Sequence, residues 1–106
     1  MATSKIPLKS FRSMFTITEE DLTHSCPKSS YQQLSDTIEN SGWYPIGVVG
    51  WNIMGSSVPS FLRVYRYLIT NRTRGSATLQ LYIYNSNANN VSAGTVRVYV
   101  LWQKVA

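Results

Sequence analysis

Through the last third of the chain, apolar side chains recur at every second position. Between Ala77 and Tyr84, Leu79, Leu81 and Ile83 share one parity; between Thr95 and Gln103, Val96, Val98, Val100 and Trp102 do the same. A period of two sends successive side chains to opposite faces of a strand, so each run predicts a strand that buries one aliphatic row. The stretch between them, Asn85-Ser-Asn-Ala-Asn-Asn-Val-Ser-Ala-Gly94, consists largely of turn formers. Together they predict an antiparallel hairpin with Ile83 opposite Val96, Leu81 opposite Val98 and Leu79 opposite Val100. That register sets Tyr82 across from Arg97 and Tyr84 across from Thr95 on the second face, where Tyr99 falls in the same row. This outward row is the first candidate for function.

The rest of the chain predicts further strands. Phe11–Ile17 alternates as a first strand, and Thr18-Glu-Glu-Asp-Leu22 has the cap and early carboxylates of a single helical turn. Residues 23–30 form a loop. In Tyr31–Glu39 the spacing of Tyr31, Leu34 and Ile38 fits a helix and an edge strand equally. After a turn at Asn40-Ser-Gly42, Trp43–Met54 predicts a buried strand with Pro45 near its start and Gly47 and Gly50 marking a bulge. A turn at 55–60 precedes Phe61–Thr70, a strand apolar on both faces and so suited to the centre of a sandwich or to a subunit contact. Asn71–Ser76 turns back into the first run. The expected fold class is all-β: a small antiparallel β-sandwich, jelly-roll-like, in a single domain over residues 11–106, preceded by a flexible lead-in at residues 1–10.

Charge adds one strong asymmetry. Only 14% of the 106 residues are charged, and ten Lys and Arg against five Asp and Glu give a net charge of +5. All five acids (Glu19, Glu20, Asp21, Asp36 and Glu39) lie between positions 19 and 39, whereas everything after Glu39 carries positive charge alone. A basic excess suits nucleic acid or another polyanion, but opposite charges meeting across folded neighbours or subunits outweigh that reading. The single Cys26 excludes an internal disulfide and a thiolate metal cage. The first residues lack the apolar core of a secretory signal and no run reaches membrane-spanning length, so synthesis in a cytoplasm and no membrane insertion are expected.

Candidate chemistry is sparse. A nucleophile–base pairing has only His24 to draw on, in a predicted loop beside Cys26. Adjacent Glu19, Glu20 and Asp21 lack the spacing and glycine of a calcium loop. A paired-carboxylate hydrolase combining Glu19 or Glu20 with Asp36 or Glu39 is not demanded by their positions. No enzyme activity, cofactor or metal is therefore expected. The aromatic residues are more informative. Tyr82, Tyr84, Arg97 and Tyr99, with Tyr65 and Tyr67 from the strand apolar on both faces, form the candidate interface or ligand-binding set. Tyrosines beside an arginine serve a subunit contact, a sugar-stacking site or a single-stranded nucleic acid.

The segments Gly42-Trp-Tyr-Pro-Ile-Gly-Val-Val-Gly-Trp-Asn52, Leu62-Arg-Val-Tyr-Arg-Tyr67 and Val96-Arg-Val-Tyr-Val-Leu-Trp102 resemble small phage and prophage virion domains of the tail-fibre or receptor-binding type. The resemblance implies a non-catalytic virion structural or receptor-binding module. Its expected partners are further copies of itself, with a trimer favoured, other virion proteins and host-surface glycans. A basic nucleic-acid-binding β domain is the alternative.

Overall fold

The computed structural model describes residues 13–25, 30–54, 62–86 and 94–105. Six strands make up nearly all of them: β1 (Phe15–His24), β2 (Ser30–Glu39), β3 (Trp43–Met54), β4 (Leu62–Thr73), β5 (Ser76–Asn85) and β6 (Gly94–Lys104). They form two three-stranded antiparallel sheets, ordered β1-β6-β3 and β2-β5-β4. The winding is that of a jelly roll: the first strand pairs with the last, the second with the fifth, and successive strands change sheet except at the β4–β5 turn. The expected single-domain all-β sandwich is thus the observed one.

The organising hairpin is not. β5 is the centre of one sheet and β6 the centre of the other, so Ile83 and Val96, Leu81 and Val98, and Leu79 and Val100 are not paired neighbours. The two aliphatic rows meet across the sandwich instead of side by side. Leu79, Leu81, Ile83, Val96, Val98, Val100 and Trp102 are all completely buried and form the heart of the core with Leu22, Leu34, Ile38, Leu62, Ile69 and Ala77. Each such side chain contributes on the order of 1.5–3 kcal/mol when fully removed from water. A period-two pattern specifies which row is buried but is silent on whether its cover is a neighbouring strand or a second sheet.

Other local expectations also shift. Thr18–Leu22 is not a helical turn: β1 runs through it to His24, with Thr18, Glu20, Leu22 and His24 on the interior row. Trp102 fixes this strand through its indole Nε1, which donates to Thr18 Oγ1 at 2.6 Å. Between helix and edge strand, Tyr31–Glu39 takes the strand. β3 is an edge strand, not the buried one expected, and β4 is an edge too, which excludes the sandwich centre from the two places expected for it; Trp51, Val49, Tyr65 and Tyr67 are accordingly exposed. The bulge prediction holds, with register shifts between Pro45 and Gly47 and between Val48 and Gly50.

Two tight turns staple one end of the sandwich. Gly75 N donates to Trp43 O at 2.7 Å, Asn40 N to Gly75 O at 2.9 Å, and Val105 N to Gly42 O at 3.1 Å. Gly42 and Gly75 both have left-handed backbones, φ 88° and 97°, a conformation glycine adopts without the Cβ penalty. The connections 25–29, 55–61 and 86–93 leave from the opposite end. The sequence offers Gly55–Ser60, Asn71–Ser76 and Asn85–Gly94 as binding loops at one open end of the sandwich; the turn within 71–76 instead lies opposite the strand ends that flank the other two. Loop 55–60, the centre of 85–94, the lead-in at 1–10 and Cys26 lie outside the described residues.

Candidate functional site: a tyrosine and arginine face

In β5 the interior row is Ala77, Leu79, Leu81, Ile83 and Asn85, which leaves Thr78, Gln80, Tyr82 and Tyr84 on the outer face of the β2-β5-β4 sheet. Tyr31 of β2 lies directly opposite Tyr84, and Arg66 of β4 opposite Tyr82. A register shift between Val64 and Arg66 inserts Tyr65 as an extra residue in β4. Its ring turns to the same outer face, where it meets two other tyrosines.

The rings form a continuous cluster. Tyr31 packs on Tyr84 with centroids 4.5 Å apart and on Tyr65 edge-on at 5.3 Å; Tyr65 in turn lies 6.0 Å from Tyr82. The Arg66 guanidinium carbon sits 5.4 Å from the centre of the Tyr82 ring, within reach of a cation–π attraction. Tyr31 is 66% exposed and Tyr65 52%, so both rings present apolar surface to solvent. Such a face offers ring surfaces to apolar C–H groups, and hydroxyl and guanidinium donors to hydroxyls or carboxylates.

Of the six residues singled out by sequence, Tyr65, Tyr82 and Tyr84 are brought together here. The other three are elsewhere. Arg97 and Tyr99 belong to β6 and lie on the outer face of the other sheet, so Tyr82 does not face Arg97. Tyr67 is opposite Leu81, on the interior side of β4, and packs its ring 5.3 Å from Trp51 at the open edge between the sheets. Tyr31 and Arg66 were missed, Tyr31 because its segment fitted two structures and Arg66 because the bulge shifts its row. The bulge has no sequence signature in Val64-Tyr65-Arg66.

Arg97 is already engaged. It lies opposite Asp21 in the ladder; its Nε donates to Asp21 Oδ1 at 2.9 Å and its Nη2 to Asp21 Oδ2 at 3.2 Å, while Nη1 is 3.3 Å from Glu19 Oε2. The hydrogen bond and charge of Arg97 hold the Asp21 carboxyl below its ordinary value, and Asp21 and Glu19 raise the guanidinium. Opposite charges do meet across folded neighbours here, as the charge pattern suggested. Tyr99 lies opposite Gly50 in the ladder, where a Cβ would sit in ordinary contact with the ring at 3.8 Å.

Of the residues weighed for catalysis, Asp36 of β2 lines an open groove together with Asp21 of β1. His24 is completely buried at the end of β1, neither ring nitrogen has a hydrogen-bond partner among the described residues, and burial lowers its pKa. Asp36 and Glu39 fall on opposite faces of β2. Among the described residues no group of His, Cys, Asp and Glu is placed to hold a metal ion, and no helix is long and apolar enough to cross a membrane. Compared with known proteins, the chain matches no protein-family model, no curated protein and no solved structure.

Proposed function

We propose that this chain is a non-catalytic structural or receptor-binding module of the phage virion type, which works as a homo-oligomer and presents its tyrosine face to a neighbouring protomer or a host-surface glycan. The observation that carries this reading is the Tyr31–Tyr65–Tyr82–Tyr84 cluster with Arg66 on the outer face of the β2-β5-β4 sheet. Tyrosine and arginine are enriched where proteins meet, because they offer large contact area together with hydrogen-bonding tips. Several copies in one assembly raise a weak sugar contact to useful avidity. Multi-angle light scattering at micromolar concentration tests the assembly: the expected mass is a multiple of 12.0 kDa, three chains being favoured, and a single-chain mass removes the reading.

One observation favours the nucleic-acid alternative: Arg63 and Arg66 flank the tyrosines on β4, the pairing of basic groups and ring platforms that single strands use. Salt separates the two. Affinity for an oligonucleotide falls steeply as salt rises, whereas binding to a neutral glycan barely changes.

A further inference from the structure

The topology turns the charge asymmetry of the sequence into a charge asymmetry of shape. β1 is the outer strand of one sheet and β2 the outer strand of the other; the two lie together along one edge of the sandwich, and β3 and β4 along the opposite edge. β1 and β2 hold Glu19, Glu20, Asp21, Asp36 and Glu39 and no Lys or Arg. β3 and β4 hold Arg63, Arg66 and Arg72 and no Asp or Glu, and Arg74 follows in the next turn. One edge is therefore anionic and the other cationic. On the anionic edge Arg97 covers Glu19 and Asp21, whereas Glu20, Asp36 and Glu39 make no ion pair among the described residues.

The two edges also differ in relief. Between β1 and β2 runs an open polar groove of ≈ 330 Å³ lined by Asp21, Thr23, Gln33, Ser35 and Asp36. Between β3 and β4 a second groove of ≈ 250 Å³ is lined by Val48, Tyr67, Ile69 and Arg72, with exposed Trp51 stacked on Tyr67 beside it. Among the described residues, all four edge strands pair with a neighbouring strand on one side only. The bulges and Pro45 in β3, and the register shifts in β4, break the regular ladder that simple strand addition would need. Contact along these edges has to run through side chains.

From this complementarity we infer that a second copy of the chain is the occupant: the carboxylate edge of one protomer docks on the arginine edge of the next, head to tail. An anionic edge repels its own likeness, so the contact is heterologous, and a heterologous contact closes into a ring when its rotation allows. The inference rests on the oligomeric reading above and adds the surfaces that mediate it.

Two charge-reversed chains test it. One carries Asp36→Arg with Glu39→Arg, which removes most of the negative charge of β1 and β2; the other carries Arg66→Glu with Arg72→Glu, which removes the positive charge of β3 and β4. With wild-type folding verified by circular dichroism, each variant alone is expected to run as a 12.0 kDa monomer, and an equimolar mixture to form a two-chain complex through the one native edge that each variant keeps. Raising the salt from about 50 to 500 mM should weaken the wild-type assembly, since the Debye length shrinks several-fold. If the wild type is oligomeric and either variant keeps the wild-type mass, the edge contact is wrong while the oligomeric reading stands. A monomeric wild type overturns both. Should a reversed chain fail to fold, Asp36→Asn with Glu39→Gln decides the same point: lowered association supports the contact, and an unchanged mass overturns it.

Discussion

Trp102 is fully buried yet keeps its one polar atom satisfied, because β6 sets it beside Thr18 on the neighbouring strand. Truncation to Trp102→Ala should cost about 3–5 kcal/mol by loss of transfer energy and the cavity left behind. Thr18→Val should cost about 1–3 kcal/mol by stranding a buried N–H. Urea denaturation midpoints measure both. His24 makes a separate prediction about acid. Its ring is held neutral by burial, with a folded-state pKa below the ordinary 6.5, so below that value the unfolded chain binds the extra proton and gains. Stability is therefore full above about pH 6.5 and declines as pH falls toward the folded value. In a pH series of thermal unfolding, His24→Phe should flatten that decline. Asp21, held low by Arg97, acts further down: its contribution is present above its ordinary 3.8 and is lost as pH falls through its depressed value, so Asp21→Asn should leave the neutral limb of the curve unchanged in shape.

Single elements show where local pattern stops being informative. The alternation of β5 and β6 identified the aliphatic interior of both strands, missing Ala77 and Asn85 at the ends of β5, but the partner of each row is a long-range fact, and an Asn-rich connection spans between sheets as readily as within one. β1 was harder to read because an edge strand tolerates Glu20 on its interior row, where the carboxylate reaches water at the open side. A polar residue there looks like a break in the pattern. β2 carried the same ambiguity, with Gln32 and Asp36 on the interior row of an edge. Turn chemistry was the most legible of all: Gly42 and Gly75 stand where the backbone demands them. They are predicted to differ in cost. An Ala side chain at Gly42 meets nothing within 4 Å and suffers only the left-handed backbone, about 1–2 kcal/mol. At Gly75 the added carbon would also come within 3.2 Å of the Ser41 Cα, so Gly75→Ala should be the more destabilising of the two in thermal melts, since the stapled turns would have to part.

At the level of the whole molecule, three of the five residues of the candidate face were visible in advance. Tyr65, Tyr82 and Tyr84 stood out as tyrosines on non-core rows, whereas Arg97 was assigned to them through a pairing that the sandwich does not make. The structure makes the two sheets separable by experiment. Replacing Tyr65 and Tyr82 with serine should abolish binding to a glycan or partner at the tyrosine face while leaving the fold intact by circular dichroism. Arg97→Ala, on the far side of the sandwich, should leave that binding unchanged. Equal loss from both changes would place the binding surface somewhere other than this face.

The position of β6 has a consequence for how the protein is made. As the centre of its sheet it supplies every hydrogen-bonded neighbour that β1 and β3 possess there, with Phe15 matched to Gln103 at one extreme of the ladder. During synthesis these two strands emerge long before their shared companion, and only the β2-β5-β4 layer can assemble while they wait. That layer would have a bare greasy underside until the final strand clears the ribosome. Closure of the molecule is thus a late, nearly simultaneous event, and nascent chains arrested before Gly94 should remain open to protease across β1 and β3.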